Sequence, residues 1–293
     1  MFDLNYLLSE KGIHVPDVRV LVMRHVPSEP ELRKALPWLA AEMPETYNVY
    51  QQFQRPHVER QLTEVRYVVS CVGYRSNEAL FVGVYKVNSY KPVSFDEYWN
   101  VPENERLRNL GMRSWSSDRD RPLPILQFDL QVEEALQEWK GKLVLDWRPG
   151  RTWIRRAERN GFTIKAILED SVLDKGMPAW NQLVLAWAEL HSLPQNWIAA
   201  LKQWRGIYFI HDSADGKGYV GSACGDENIY GRWMNYAASG DGGNKLLRAR
   251  KPQSFRFSVL QLVSQDMESE KVIAVENSWK DRLHTREFGL NLN

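Results

Sequence analysis

The chain has 293 residues, with 38 Lys+Arg against 37 Asp+Glu and a formal net charge of +1. That balance excludes a histone-like polycation and an acidic disordered tail, and 43% hydrophobic with 26% charged residues is an ordinary soluble globular composition. The length predicts about two domains. Cys71 and Cys224 are too few for a disulfide framework or a four-thiolate zinc site, so a reducing cytoplasm is expected. The opening residues, MFDLNYLLSEKG, lack the basic start and apolar run of a signal peptide, and the apolar stretch Leu183–Ala188 is too short to span a bilayer, so no membrane partner is expected. The six histidines show no metal-ligand spacing.

Residues 30–66 carry apolar side chains at a period near 3.6 (Leu32, Ala35, Leu36, Leu39), which predicts helix. The pattern changes at Tyr67. Two runs rich in β-branched and aromatic residues, Tyr67–Val72 and Leu80–Val87, flank the polar stretch Gly73–Glu78 and predict a β-hairpin. Strand character returns at Ile125–Leu130, Leu143–Trp147 and Phe162–Leu168, with a charged loop at Ser116–Pro124. Residues 180–204 are predicted helical, with Leu183, Trp187, Leu190, Trp197 and Leu201 on one side and Pro194 splitting the segment into two helices. The domain boundary is expected near this point, giving domains at 1–200 and 204–293.

Beyond it, Gly206–Ile210 and Tyr219–Ala223 are short apolar strands joined by a Gly/Asp-rich turn, a second hairpin. Tyr208 and Tyr219 lie on adjacent strands, and Gly221 allows either a close backbone approach or a positive φ. Arg232 and Tyr236 are four apart on one helix face. Phe255–Val263 alternates as a third strand, and a final helix carries Glu276, Trp279 and Lys280.

In this order the elements resemble the GIY-YIG nuclease family: Gly206-Ile207-Tyr208, Tyr219-Val220-Gly221 with Ser222-Ala223, Arg232-Trp233, the Phe255/Phe257 strand, Glu276-Asn277-x-Trp279 and the closing Phe288–Asn291. The resemblance covers about residues 204–293. It departs from the family pattern at Phe209 and in the insertion Gly225–Gly231. It implies an α+β fold class: a three-stranded antiparallel sheet flanked by helices, here preceded by a mixed α/β-rich N-terminal domain with a β-barrel-like or sheet core. It also implies hydrolysis of phosphodiester bonds with one divalent ion, Mg2+ or Mn2+. By position, Tyr208, Tyr219, Arg232, Tyr236 and Glu276 match the family's catalytic residues.

These residue types suit the chemistry. Mg2+ keeps most of its waters, so the carboxylate of Glu276 can be its whole protein anchor. Arg232 offers a fixed fork of donors to phosphate oxygens. A tyrosine base needs its pKa lowered from about 10, a shift that a nearby Arg and a metal-bound water supply. Tyr208 is the favoured general base, with Tyr219 positioning the water or the phosphate, and the reverse assignment fits the sequence as well. Taken singly, each of these residues reads as ordinary packing or a solvated face; the joint order carries the catalytic reading. Asn244 and Asn291 read as turn or cap residues.

Near-neutral overall charge leaves room for a local phosphate site. The segment Lys245–Arg256 holds five cations (Lys245, Arg248, Arg250, Lys251, Arg256) and no acid. With Lys217, the first four are candidate DNA contacts. DNA is the expected partner, and a homodimer would serve double-strand cleavage. The N-terminal domain is a candidate DNA reader, including of a flipped modified base stacked on an aromatic ring, with Leu80–Tyr90 and Trp147–Trp153 as the segments of interest. Taken individually, Trp147 and Trp153 each read as core. The leading reading is a DNA endonuclease of restriction or defence. A repair or homing nuclease and a DNA-binding protein with a silent nuclease are the alternatives. Homing is disfavoured because the nuclease is C-terminal with no zinc finger or helix-turn-helix after it. No residue separates DNA from RNA.

Overall fold

A computed structural model describes residues 3–113, 125–150, 152–173, 176–225 and 227–292. The loop expected at Ser116–Pro124 lies outside the described residues. The chain divides into two compact units, Met1–Lys175 and Gly176–Asn293. The division precedes the expected boundary at 200–204 because residues 183–204 pack onto the C-terminal core.

In the N-terminal unit the elements run α1 (Leu4–Glu10), β1 (Val20–His25), α2 (Pro30–Glu42), α3 (Pro44–Gln52), α4 (Pro56–Leu62), β2 (Tyr67–Gly73), β3 (Glu78–Val93), α5 (Phe95–Trp99), α6 (Pro102–Asn109), β4 (Ile125–Glu133), β5 (Leu143–Asp146), β6 (Ile154–Arg156) and β7 (Ile164–Ile167). The helical stretch predicted for 30–66 is three helices, α2 to α4. Each opens on a proline in its first turn, where the missing N–H is no loss. The β2/β3 hairpin forms as the sequence predicts, and β3 runs on to Val93.

The described strands make a seven-stranded sheet in the order β6-β1-β2-β3-β5-β7, with β4 also paired to β3. Only the β1/β2 pair is parallel. Both faces of the sheet are covered. Leu21, Met23, Val68 and Val82 pack in one core with Leu36, Leu39 and Val58 of α2 and α4, and Val20, Val22, Val69 and Phe81 pack in another with Leu4 and Leu8 of α1. Burial on both sides explains why these strands read as unbroken apolar runs. Trp147 is core, donating its indole N–H to Thr152 O at 3.1 Å, whereas Trp153 is only half-buried.

In the C-terminal unit the order is β8 (Val184–Ala186), α7 (Trp187–Leu190), α8 (Gln195–Gln203), β9 (Gly206–Asp212), β10 (Gly218–Ala223), α9 (Asn228–Ser239), α10 (Lys245–Arg248), β11 (Phe255–Leu262) and α11 (Ser269–Arg282). The sheet order is β10-β9-β11-β8. Residues 184–186 correct the prediction of helix from 180. They pair antiparallel with Arg256–Ser258 of β11, so the expected three strands gain a fourth at the edge. The helix starts only at α7, where Ala186 N–H donates to the Glu189 carboxylate at 2.7 Å. Pro194 separates α7 from α8, as predicted.

At the end of β1, His25 is 2% exposed, with its ring 5.1 Å from that of Tyr50 and 5.7 Å from that of Trp153. Burial lowers its pKa to about 4, against the opposing influence of the Gln51 side chain. The folded imidazole is therefore neutral where the unfolded one, titrating near 6.5, takes a proton. Stability from this group is present above pH 6.5 and is lost as pH falls towards 4, by on the order of 3 kcal/mol. Denaturant unfolding from pH 7 to pH 4 should show the loss in the natural chain. In a His25→Gln variant the difference curve should flatten; parallel curves would contradict the buried neutral imidazole.

Candidate active site

Antiparallel pairing of β9 with β10 sets Gly221 opposite Tyr208 and Tyr219 opposite Ile210. Alternation along β9 then sorts its side chains. Tyr208 and Ile210 pack with Trp233 and Tyr236 of α9, while Ile207 and Phe209 pack with Val272 and Trp279 of α11. The Tyr208 ring is fully buried. Its hydroxyl shares a hydrogen bond of 3.1 Å with the Tyr236 hydroxyl, either being able to donate, and accepts from Arg232 Nη2 at 3.3 Å. Tyr219, half-buried, closes the group: its ring centroid is 6.5 Å from that of Tyr208 and 6.4 Å from that of Tyr236. The Arg232 guanidinium also lies 5.7 Å from the centroid of the Tyr236 ring, a cation–π arrangement.

Two glycines make room for the phenols. A Cβ on Gly221 would stand 2.4 Å from the Tyr208 hydroxyl, so this glycine serves close approach rather than a positive φ. A Cβ on Gly242, where φ is +57°, would stand 2.3 Å from the Tyr236 ring.

The electrostatics differ from the sequence expectation. Burial, and then the neighbouring Tyr219, push the Tyr208 phenol up to about 12, although Arg232 and Tyr236 act in the opposite direction. Burial also raises the Tyr236 phenol, and Tyr208 holds the Arg232 guanidinium above its usual range. One guanidinium at 3.3 Å does not outweigh the loss of water around a fully buried hydroxyl.

Glu276 belongs to the opposite face of the sheet. Its Oε2 accepts from Ser222 Oγ, and its Oε1 is paired with Lys280 Nζ at 2.8 Å. Both side chains are largely buried, at 14% and 7% exposure. The two halves of the site thus border adjacent residues of the edge strand β10. Gly221 abuts Tyr208, and Ser222 holds Glu276. The sequence reading gave no role to Ser222 or Lys280. The signals were there in the residue after the second tyrosine motif and in the i,i+4 spacing from Glu276.

Asn291 is not a cap. Its buried side-chain amide accepts from Val220 N at 2.9 Å and donates to Val220 O at 2.8 Å, fastening the chain terminus to β10. Asn244 does cap, accepting from Leu246 N and Leu247 N at the start of α10. Of the candidate DNA contacts, Arg250 is tied down by Asp212 and by two bonds of 2.9 Å to Asp215, and Arg248 Nε pairs with Asp241 at 3.0 Å. Those acids come from outside the 245–256 window, so the sequence count of cations overstated the free charge. Lys217, Lys245 and Lys251 are exposed and form no ion pair among the described residues.

Residues 205–291 match the family model described as the GIY-YIG catalytic domain. Residues 205–291 form a GIY-YIG domain. The solved catalytic domain of the homing endonuclease I-TevI is 27% identical over 30% of this chain and 98% of that chain, with a TM-score of 0.26. A point mutant of the catalytic domain of intron endonuclease I-TevI is 26% identical over 31% and 94%, with a TM-score of 0.27. No curated protein matches the chain.

Gly221→Ala should drive a methyl group into the Tyr208 hydroxyl and destabilise the chain by about 1–3 kcal/mol, the usual cost of overpacking. Gly225→Ala, in open space, is the control. Chemical denaturation of the two variants should separate them; equal stabilities would show that Tyr208 does not need the bare glycine.

Proposed function

We propose that the chain is a metal-dependent DNA endonuclease in which the C-terminal unit cleaves and the N-terminal unit recognises, acting in restriction or defence against foreign DNA. The observation that carries this reading is the Tyr208–Tyr236–Arg232 hydrogen-bonded group set one residue of edge strand from Glu276, within a GIY-YIG domain. The DNA substrate, the recognition role of the N-terminal unit and the cellular role extend it. The GIY-YIG family match over residues 205–291 supports the phosphodiester cleavage chemistry. Of the five candidate contacts, Arg248 and Arg250 are paired with acids, which favours a second unit supplying part of the affinity and the specificity.

The donor set is compatible with a Mg2+-type ion. Among the described residues no cluster of three His, Cys, Asp or Glu side chains forms, but Mg2+ needs only one or two carboxylates beside its waters. Glu276 would hold the ion, in competition with the Lys280 ammonium for the same carboxylate. Bound there, it would polarise a phosphate oxygen. Arg232 donates to the phosphate and stabilises the charge that develops on its oxygens. Its anchor on the Tyr208 hydroxyl fixes the direction of the guanidinium fork. Tyr208 takes the proton from the attacking water, and half-buried Tyr219 positions that water. With its phenol at about 12, Tyr208 is neutral in the free protein at physiological pH, so the reactive fraction is small and rises with pH.

Two measurements test the assignment. Glu276→Gln should abolish Mg2+-dependent nicking of duplex DNA while DNA binding stays within a few-fold of the natural chain; natural cleavage rates in this variant would remove Glu276 from the site. At saturating metal the natural rate should climb about tenfold per pH unit between 6 and 9. Tyr219→Phe should lower the rate without changing that slope, and Tyr208→Phe should eliminate it. A flat profile would mean that Tyr208 is not the base.

A further inference from the structure

The N-terminal unit holds a cavity of about 450 Å3 that the nuclease chemistry does not use. The volume lies in the range of small-ligand sites, ~300–1,000 Å3. It opens where β1 ends, at His25, beside its parallel neighbour β2, and α3, α6 and the segment before β6 complete its walls. The carboxyl ends of parallel strands are a common place for ligands in sheets covered by helices.

Its lining is aromatic in a particular way. His25 forms the buried floor, edge-on to Tyr50 at an interplanar angle of 72°. Tyr50 and Trp153 are only half-buried, so their rings are presented to the cavity rather than consumed by the core. Tyr98 and Phe53, 4.8 Å apart, close another side.

Its polar groups are also unusual. Asn104 is wholly buried. Its Nδ2 donates to Tyr98 O at 2.8 Å, yet its Oδ1 has no hydrogen-bond partner among the described residues. A buried acceptor left open is costly unless something donates to it. Among the described residues, three arginines, Arg24, Arg55 and Arg113, line the same cavity with one acid, Glu29. Arg24 is held in place by donation from Nε to Glu78 O at 2.9 Å.

These features select among ligands. An aromatic cage for a quaternary ammonium would be electrostatically wrong beside three guanidinium groups. A planar heterocycle with an exocyclic amine and an attached phosphate satisfies every element: rings to stack on, an amide oxygen to accept the amine proton, and arginines for the phosphate.

We propose that this cavity is a nucleobase pocket that receives a base turned out of the DNA duplex, stacked against Tyr50 and Trp153 and read by Asn104. The source of the base rests on the DNA reading above; the nucleobase chemistry does not. Turning a base out of the stack is easiest where pairing is already weak, so the pocket also predicts a preference for mismatched sites.

The test uses the full chain with Ca2+ in place of Mg2+ and measures anisotropy of labelled short duplexes, either fully paired or carrying one central mismatch. Competition by the four deoxynucleoside monophosphates is measured beside it. The natural chain should bind the mismatched duplex more tightly. Trp153→Ala and Asn104→Leu should each weaken binding by roughly tenfold or more and erase the mismatch preference. Trp153→Phe, which keeps a stacking face, should restore most of it, and it remains informative if the alanine variant unfolds. Exposed Tyr6, outside the cavity and outside the segments of interest for DNA reading, gives the control Tyr6→Ala, which should bind like the natural chain. Natural affinity and preference in folded Trp153→Ala and Asn104→Leu would overturn the proposal. If no duplex binds but a monophosphate does, in a Trp153-dependent way, the DNA reading fails and the pocket is a free-nucleotide site. If neither binds, the pocket assignment itself is overturned.

Discussion

The Tyr208 hydroxyl is the point on which the C-terminal unit turns. A phenol buried to zero exposure must find hydrogen-bond partners inside the protein, and here it finds Arg232 and Tyr236, both from α9. That requirement ties the first hairpin strand to the helix in one orientation. It fixes where the guanidinium points, and it leaves space for the hydroxyl only if the facing residue of β10 has no side chain. Gly221 meets that condition with an approach that a methyl group would close. The same burial raises the phenol to about 12, so the arrangement that orders the site also keeps the proposed base protonated at rest.

The edge strand divides the candidate site. On one face lie the phenols and Arg232; on the other, Glu276 is held between Ser222 and Lys280. The Lys280 ammonium neutralises a carboxylate that is largely removed from water, which a lone buried charge could not tolerate. A divalent ion held by Glu276, as proposed, would compete with that ammonium for the carboxylate. Asn291 clamps β10 at Val220, just ahead of Gly221 and Ser222, so the residues that join the two faces sit on a strand fastened along its outer edge.

Much of this was legible in the chain. The β9/β10 and β2/β3 hairpins follow from β-branched runs bounded by polar turns, and the spacing of Arg232 and Tyr236 gave their shared helix face. Other features were not legible, for physical reasons. Val184–Ala186 carries no period long enough to separate strand from helix, and its state is decided by the free edge of β11. Arg250 pairs with Asp212 and Asp215, far back in the chain, and Arg248 with Asp241, just outside the counted window, so a count of cations in that window could not register these pairs. The pKa expectation for Tyr208 weighed the nearby charge without the burial, which only the packed structure supplies. The aromatic walls of the N-terminal cavity come from four separate segments, and of these only Trp153 lay in a stretch that the sequence had singled out.

The central claim is that one phosphate site spans the edge strand, with Arg232 on one side and Glu276 on the other. A crystal structure of the full chain with duplex DNA and Ca2+ tests it most directly. The account predicts the scissile phosphate within hydrogen-bond reach of the Arg232 guanidinium, the ion on Glu276, and Lys280 released from that carboxylate. A phosphate bound away from Gly221 and Ser222, with the Glu276–Lys280 pair intact, would contradict it.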